Sequence, residues 1–168
     1  MPEGISHSAE AAPAFAAFVD TIAALRAPDG CPWDRVQTHK SLKPECIEEA
    51  AEVICGINIL EETGNAENLQ EELGDLLMQV VMHARIAEEE GLFTMDDVCR
   101  GISEKMIRRH PHVFGNTLVD DAGHAVTQWA DIKKLEKAGR EWTESYLPGA
   151  FDEAQDLIEV ARKRKGFR

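Results

Sequence analysis

Apolar residues recur every three or four positions along most of the chain, and no stretch sustains the two-residue alternation of a half-buried strand. Phe15, Phe18, Val19, Ile22 and Leu25 predict a first helix from Ala14 to Arg26. The Ala-Pro-Asp-Gly-Cys-Pro-Trp-Asp string at 27–34 then forces a loop carrying Trp33. A second helix is expected from Leu42 to Thr63, with Ile47, Ala51, Ile54, Ile57 and Leu60 as its stripe. Ser41 would cap it, Pro44 is tolerated in its first turn and Gly64 stops it. Asn65 caps a third helix from Ala66 to Glu90, with Leu69, Leu73, Leu76, Leu77, Val80 and Ala84 inward and Gly91 as terminator. So short a connection makes these two helices antiparallel neighbours.

Thr94 and Asp97 resemble a capping box opening a fourth helix, Met95 to Arg109, which Pro111 ends. A fifth is expected over Ala122–Lys137, with Val126, Trp129, Ile132 and Leu135 inward, and a weaker one over Phe151–Lys165. The pattern is that of an all-α protein of the four-helix-bundle type with an extra C-terminal helix. Residues 1–12 read as a loose tail, 13–140 as the domain, and 141–168 as a connector and helix.

Composition narrows the class. At 168 residues, 43% hydrophobic and 29% charged, the chain is long enough for one globular domain with a real core. A net charge of −13 argues against general affinity for nucleic acid or anionic membranes, both of which need a positive footprint. The four cysteines, Cys31, Cys46, Cys55 and Cys99, form neither a CxxC pair nor a zinc spacing, so reduced thiols in a cytoplasmic protein are expected. No signal-peptide pattern and no membrane-length apolar run is visible.

The candidate chemistry is acidic. Glu49 and Glu52 are spaced i, i+3 on the second helix, and Glu72 and Asp75 repeat that spacing on the third. Acids on helices are usually a solvated face. These interrupt apolar stripes, however, and lie at similar distances from the Gly64 turn, so an antiparallel pair brings four carboxylates level. Like charges so close need a cation among them, and oxygen donors point to Mg²⁺ before Ca²⁺ or Zn²⁺, with Mn²⁺ as a substitute. Glu48, about 100° around the helix from Glu49, reaches towards a water beside such an ion. Gly74, in mid-helix, suggests a close approach there. A di-iron centre would want Glu-x-x-His pairs, and no Glu precedes His83 by three.

Basic residues crowd the end of the fourth helix: Lys105, Arg108, Arg109 and His110. Capping of the helix dipole explains some of them, but Lys105 and Arg109 also share a face suited to phosphate oxygens. Trp129 and Lys133 set an aromatic plane one turn from a cation, although a core tryptophan is the simpler reading of Trp129 alone. Trp33, in its loop, is placed to close over a base.

Taken in order, Gly30-Cys-Pro-Trp-Asp34, Glu48-Glu49-x-x-Glu52, Glu72-x-x-Asp75 and Arg108-Arg-His-Pro-His-Val-Phe114 resemble the MazG family of nucleoside triphosphate pyrophosphohydrolases, over about residues 15–140. The resemblance implies a dimerising all-α bundle that hydrolyses NTPs or dNTPs to monophosphate and pyrophosphate with Mg²⁺. It makes Glu49, Glu52, Glu72 and Asp75 the metal ligands, and Lys105, Arg109, Trp129 and Lys133 the nucleotide contacts. The expected catalysis has water activated by Glu48 or a ligand carboxylate such as Glu49, with a role in the nucleotide pool. Two other readings stand beside it: a nucleotide-sensing or partner-binding helical domain without turnover, and a narrower dUTP/dCTP or phosphoribosyl-ATP pyrophosphohydrolase. The segment Leu147–Phe167 resembles the connector that leads to a second copy in tandem relatives.

Overall fold

The computed structural model describes residues 8–115 and 122–167. Among the described residues every regular element is helical: α1 (Ser8–Arg26), α2 (Lys43–Thr63), α3 (Glu67–Glu89), α4 (Met95–Arg109), α5 (Pro111–Phe114), α6 (Ala122–Lys137) and α7 (Leu147–Arg164). Short 3₁₀ turns at Asp34–Val36 and Glu141–Tyr146 complete the list. None of these helices is long and apolar enough to cross a membrane.

The chain divides into two compact bodies. One contains α1, α2, α3 and the chain from Asp152 onward; the other runs from Asp96 to Phe151. In the first body α2 and α3 pair along their length, with only Gly64, Asn65 and Ala66 between them. Gly64 takes the left-handed conformation, φ 75°, and returns its N–H to the Leu60 carbonyl at 2.9 Å. The Asn65 side chain accepts from the Glu67 N–H at 2.8 Å, so it caps α3 as its position suggests.

Ser41 behaves differently. No side chain caps α2; the Ser41 hydroxyl donates to Gln37 Oε1 at 2.7 Å and accepts from the Thr38 N–H at 2.9 Å, tying the preceding loop instead. Both outer helices begin earlier than their apolar repeats predict. α1 reaches back to Ser8, through Pro13, because Ala9, Ala11 and Ala12 favour helix strongly enough to offset the one backbone bond that proline removes. α7 begins at Leu147, with Pro148 in a first turn that has no use for its N–H. Of the loose tail expected over residues 1–12, residues 8–12 are therefore helical, and residues 1–7 lie outside the described residues.

The core is small. Ile22 of α1, Leu42, and Val81, Met82 and Ile86 of α3 are buried together, with Phe15, Phe18, Val19, Leu25, Met78 and Met95 packed around them. α3 thus spends one face on α1 and another on α2, and the predicted stripes are only partly covered. Ile54 on α2 is 60% exposed and Leu73 on α3 is 50% exposed, with Ile57, Leu77 and Val80 also open. Leu135, expected inward on α6, is 74% exposed, because α6 turns Trp129 and Glu136 towards α4 instead. Val126 lies among residues whose side chains are not described.

The helix crossing also moves a glycine's role. A Cβ on Gly56 would stand 2.8 Å from the Leu69 Cα, so glycine is what lets α2 meet α3 there. Gly74, the expected point of close approach, has nothing within 4 Å of its Cβ position.

Candidate functional site

The Gly30–Asp34 loop folds back on α1 before any acid is reached. A side chain at Gly30 would collide with the Ala24 and Leu25 carbonyls at 2.4 Å, and the Cys31 N–H donates to the Leu25 carbonyl at 2.8 Å. Arg26 completes the anchor. Its guanidinium donates to the Asp34 carbonyl at 2.5 Å and the Gln37 carbonyl at 3.2 Å, while its other edge pairs with Glu89 at 2.7 Å. That arginine is 5% exposed, and its hydrogen bonds hold the Glu89 carboxyl below its usual range. Trp33 stands out from the anchored loop, 72% exposed. It borders a cavity of about 550 Å³ whose other walls include Leu42, Glu45, Glu49, Met78 and Gln79.

Behind that cavity the α2–α3 pair does bring acids together. Glu49, Glu72 and Asp75 each offer a carboxylate oxygen within 4.8 Å of the others. Burial first, then the charges of Asp75, Glu45, Glu72 and Glu48, push the Glu49 carboxyl up. The Asn68 amide, one turn before Glu72, donates to Glu72 Oε1 at 2.8 Å and fixes that carboxylate's direction. Its own Oδ1 is buried with no protein partner. An all-oxygen donor set with uncompensated negative charge fits a hard divalent ion.

The fourth acid stands apart. Glu52 does not join the three; its carboxylate is paired with the Lys165 ammonium just beyond α7. Glu48 is held by the same segment, through Arg164 and through Lys165 Nζ at 2.8 Å, and its side chain is 11% exposed. The two basic residues come from the C-terminal run Arg162-Lys-Arg-Lys165, more than 100 positions away in sequence. Helical spacing alone could not disclose that pairing; only the concentration of charge at the chain's end was visible.

The basic cluster forms within the second body. Arg109 and Lys133 both lie over the Trp129 ring, at 5.1 and 5.0 Å from its centre. Arg109 also forms a two-pronged pair with Glu136, at 2.7 and 2.9 Å, and Arg108 binds the other oxygen of that carboxylate at 2.9 Å. Glu136 escaped the sequence reading; its signal was its position, three after Lys133 and seven after Trp129 on one helical face. The Arg109 hydrogen bond, ahead of that from Arg108, holds its carboxyl below the ordinary range. Lys105 is half-buried one turn before Arg109.

His83 sits outside both clusters. Its Nδ1 is 2.7 Å from His39 Nδ1, the two rings are stacked, and its Nε2 is 3.3 Å from the Cys46 sulfur. Unlike those of the three carboxylates, the ligand atoms of these side chains do not all lie within 4.8 Å of one another.

Residues 37–114 match the MazG nucleotide pyrophosphohydrolase domain. A nucleoside triphosphate pyrophosphohydrolase/pyrophosphatase MazG of Thermotoga maritima is 52% identical over 128 residues, 76% of this chain and 47% of that protein. A nucleoside triphosphate pyrophosphohydrolase of Escherichia coli K12 is 43% identical over 115 residues, 68% of this chain and 42% of its own length. An uncharacterized protein, YabN, of Bacillus subtilis is 53% identical over 123 residues, 73% of this chain and 24% of its length. The chain spans less than half the length of these relatives. The three facing carboxylates lie inside the matched segment and the anchored Trp33 loop stands just before it, so residues 37–114 of this chain are a MazG nucleotide pyrophosphohydrolase domain.

Proposed function

We propose that the protein is a nucleoside triphosphate pyrophosphohydrolase that depends on Mg²⁺, or on Mn²⁺ in its place, and serves the cytoplasmic nucleotide pool. The observation that carries this reading is the approach of Glu49, Glu72 and Asp75 to within 4.8 Å inside the matched domain. These three carboxylates would hold the ion, with Glu52 as a fourth once freed from Lys165. A bound divalent ion supplies neutralisation of the charge that builds on departing pyrophosphate.

The chain's own residues do the rest. Glu48 or Glu49 takes a proton from the water that attacks the α-phosphorus, and the bond between α-phosphorus and bridging oxygen breaks to leave monophosphate and pyrophosphate. Lys105, Arg108, Arg109 and Lys133 bind phosphate oxygens, and Trp33 and Trp129 offer flat faces to the base. In this scheme catalysis is mainly placement and charge compensation.

The active form is a homodimer. Support comes from the apolar side chains that α2 and α3 leave open, Ile54, Leu73, Leu77 and Val80, beside a Gly74 whose Cβ position is clear to 4 Å. Such a face gains stability when a second copy covers it.

The test is product analysis across the eight common NTPs and dNTPs with Mg²⁺, for the wild type and Asp75→Asn. Monophosphate and pyrophosphate in equal amounts are expected from the wild type, with turnover in the variant lower by roughly a hundredfold or more. Activity confined to dCTP, or found only when dUTP or phosphoribosyl-ATP is added to the panel, would narrow the substrate. Thermal stabilisation by Mg²⁺ and dNTP without any turnover would make the protein a nucleotide sensor, a reading favoured by the ion pairs that occupy Glu48 and Glu52.

A further inference from the structure

The C-terminal end of α7 lies on the acids as a cation would. Lys165 Nζ reaches Glu48 at 2.8 Å and pairs with Glu52, and Arg164 pairs with Glu48. Glu72 and Asn68 of α3 border the same cavity, about 440 Å³, which Ile158 and Ala161 of α7 and Lys165 just beyond it also line. At its other end α7 is tied by Glu153 to Lys43, at 2.8 Å, in the first turn of α2. A lysine ammonium between two glutamates relieves like-charge repulsion just as a metal ion does. A carboxylate oxygen committed to that ammonium is not available as an inner ligand, so the two occupants exclude each other.

We propose that the basic end of α7 is a tethered competitor for the divalent-ion site: a latch that, when closed, keeps Glu52 out of the Glu49–Glu72–Asp75 group, and that lifts when the ion enters. The inference rests on reading those carboxylates as a metal site. Its strength is suited to reversal. Although Glu48 is 11% exposed, its basic partners reach solvent, Arg164 at 58% and Lys165 at 36%, so salt weakens the pairs from that side. Arg164 is 58% exposed and Val160 60% exposed, so the last turns of α7 separate from α2 without opening the Ile22–Val81 core. Attachment to the same chain compensates for the weakness by keeping the ammonium at high local concentration. A polyphosphate arriving with the ion offers Arg164 and Lys165 new oxygen partners, which biases the latch towards open in the presence of an anionic substrate.

The experiment is Mn²⁺ binding to the whole chain, followed by electron paramagnetic resonance and by calorimetry, for the wild type, Lys165→Ala and Arg164→Ala/Lys165→Ala. Hydrogen exchange of residues 158–167 is measured with and without Mn²⁺, and thermal melts establish that each variant is folded. The double variant is expected to bind Mn²⁺ about three- to tenfold more tightly with unchanged stoichiometry. In the wild type, Mn²⁺ is expected to speed amide exchange in the last turn of α7. Equal affinity in the wild type and a folded double variant, or weaker binding in the variant, overturns the latch while leaving the metal site standing. Failure of all three proteins to bind Mn²⁺ overturns the metal site and the latch together.

Discussion

Glu49 faces Glu72 and Asp75 with its carboxyl pushed up by burial and by their charge, so in the metal-free protein its ionised form is costly. Glu49→Gln removes one of the repelling charges. The metal-free variant is expected to melt higher than the wild type, by the equivalent of roughly 1 kcal/mol, and to lack the rise in Tm with Mg²⁺ that the proposed site predicts for the wild type. A Tm that still rises fully with Mg²⁺ removes Glu49 from the ligand set. His83 supplies a pH dependence of a different origin. Burial, and then the neighbouring His39, lower its pKa from the ordinary 6.5. The unfolded chain therefore binds more protons than the folded one as pH falls through 6.5, and stability is lost in that direction. Melts between pH 7.5 and pH 5.5 should show that decline, and His83→Gln should flatten it, whatever it does to the midpoint at high pH.

Among the elements, the hairpin of α2 and α3 is the part whose sequence logic was most complete. Gly64 and Asn65 announce the turn by chemistry that acts within a few residues, and the i, i+3 acids announce a shared face. That is why three of the four carboxylates were foreseeable as neighbours. What periodicity could not convey is which helix lies opposite each position. Gly74 and Gly56 look alike in sequence, yet only Gly56 meets a backbone, at Leu69. Leu135 looks like a core leucine, but its helix spends its contacts on Trp129 and Glu136. Lys165 and Glu52 are too far apart in the chain for any local rule to join them. Gly56→Ala is accordingly expected to cost about 1–3 kcal/mol in chemical denaturation, since the added methyl must push apart two backbones rather than a movable side chain. A stability within about 0.5 kcal/mol of wild type would mean that the helices separate freely there.

For the molecule as a whole, a modest core and a generous open apolar face belong together. Ile22 and Val81 are the largest fully buried side chains, while Ile54, Leu73, Leu77 and Val80 stay open on the helices that also hold the acids. If a second copy covers that face, Gly74→Leu fills the space against which it packs. Light scattering should then report half the wild-type mass, with helix content by circular dichroism unchanged; an unaltered mass places the contact elsewhere or shows the protein to be a monomer. The Arg26 guanidinium has a reach of the same kind. From the last position of α1 it grips two carbonyls of the Trp33 loop and Glu89 at the end of α3. Arg26→Leu should therefore raise the KM for nucleotide and slacken amide exchange across residues 31–37, although the arginine itself touches no substrate in the scheme above. In a screen that scores only turnover, such a keystone would be mistaken for a member of the catalytic machinery.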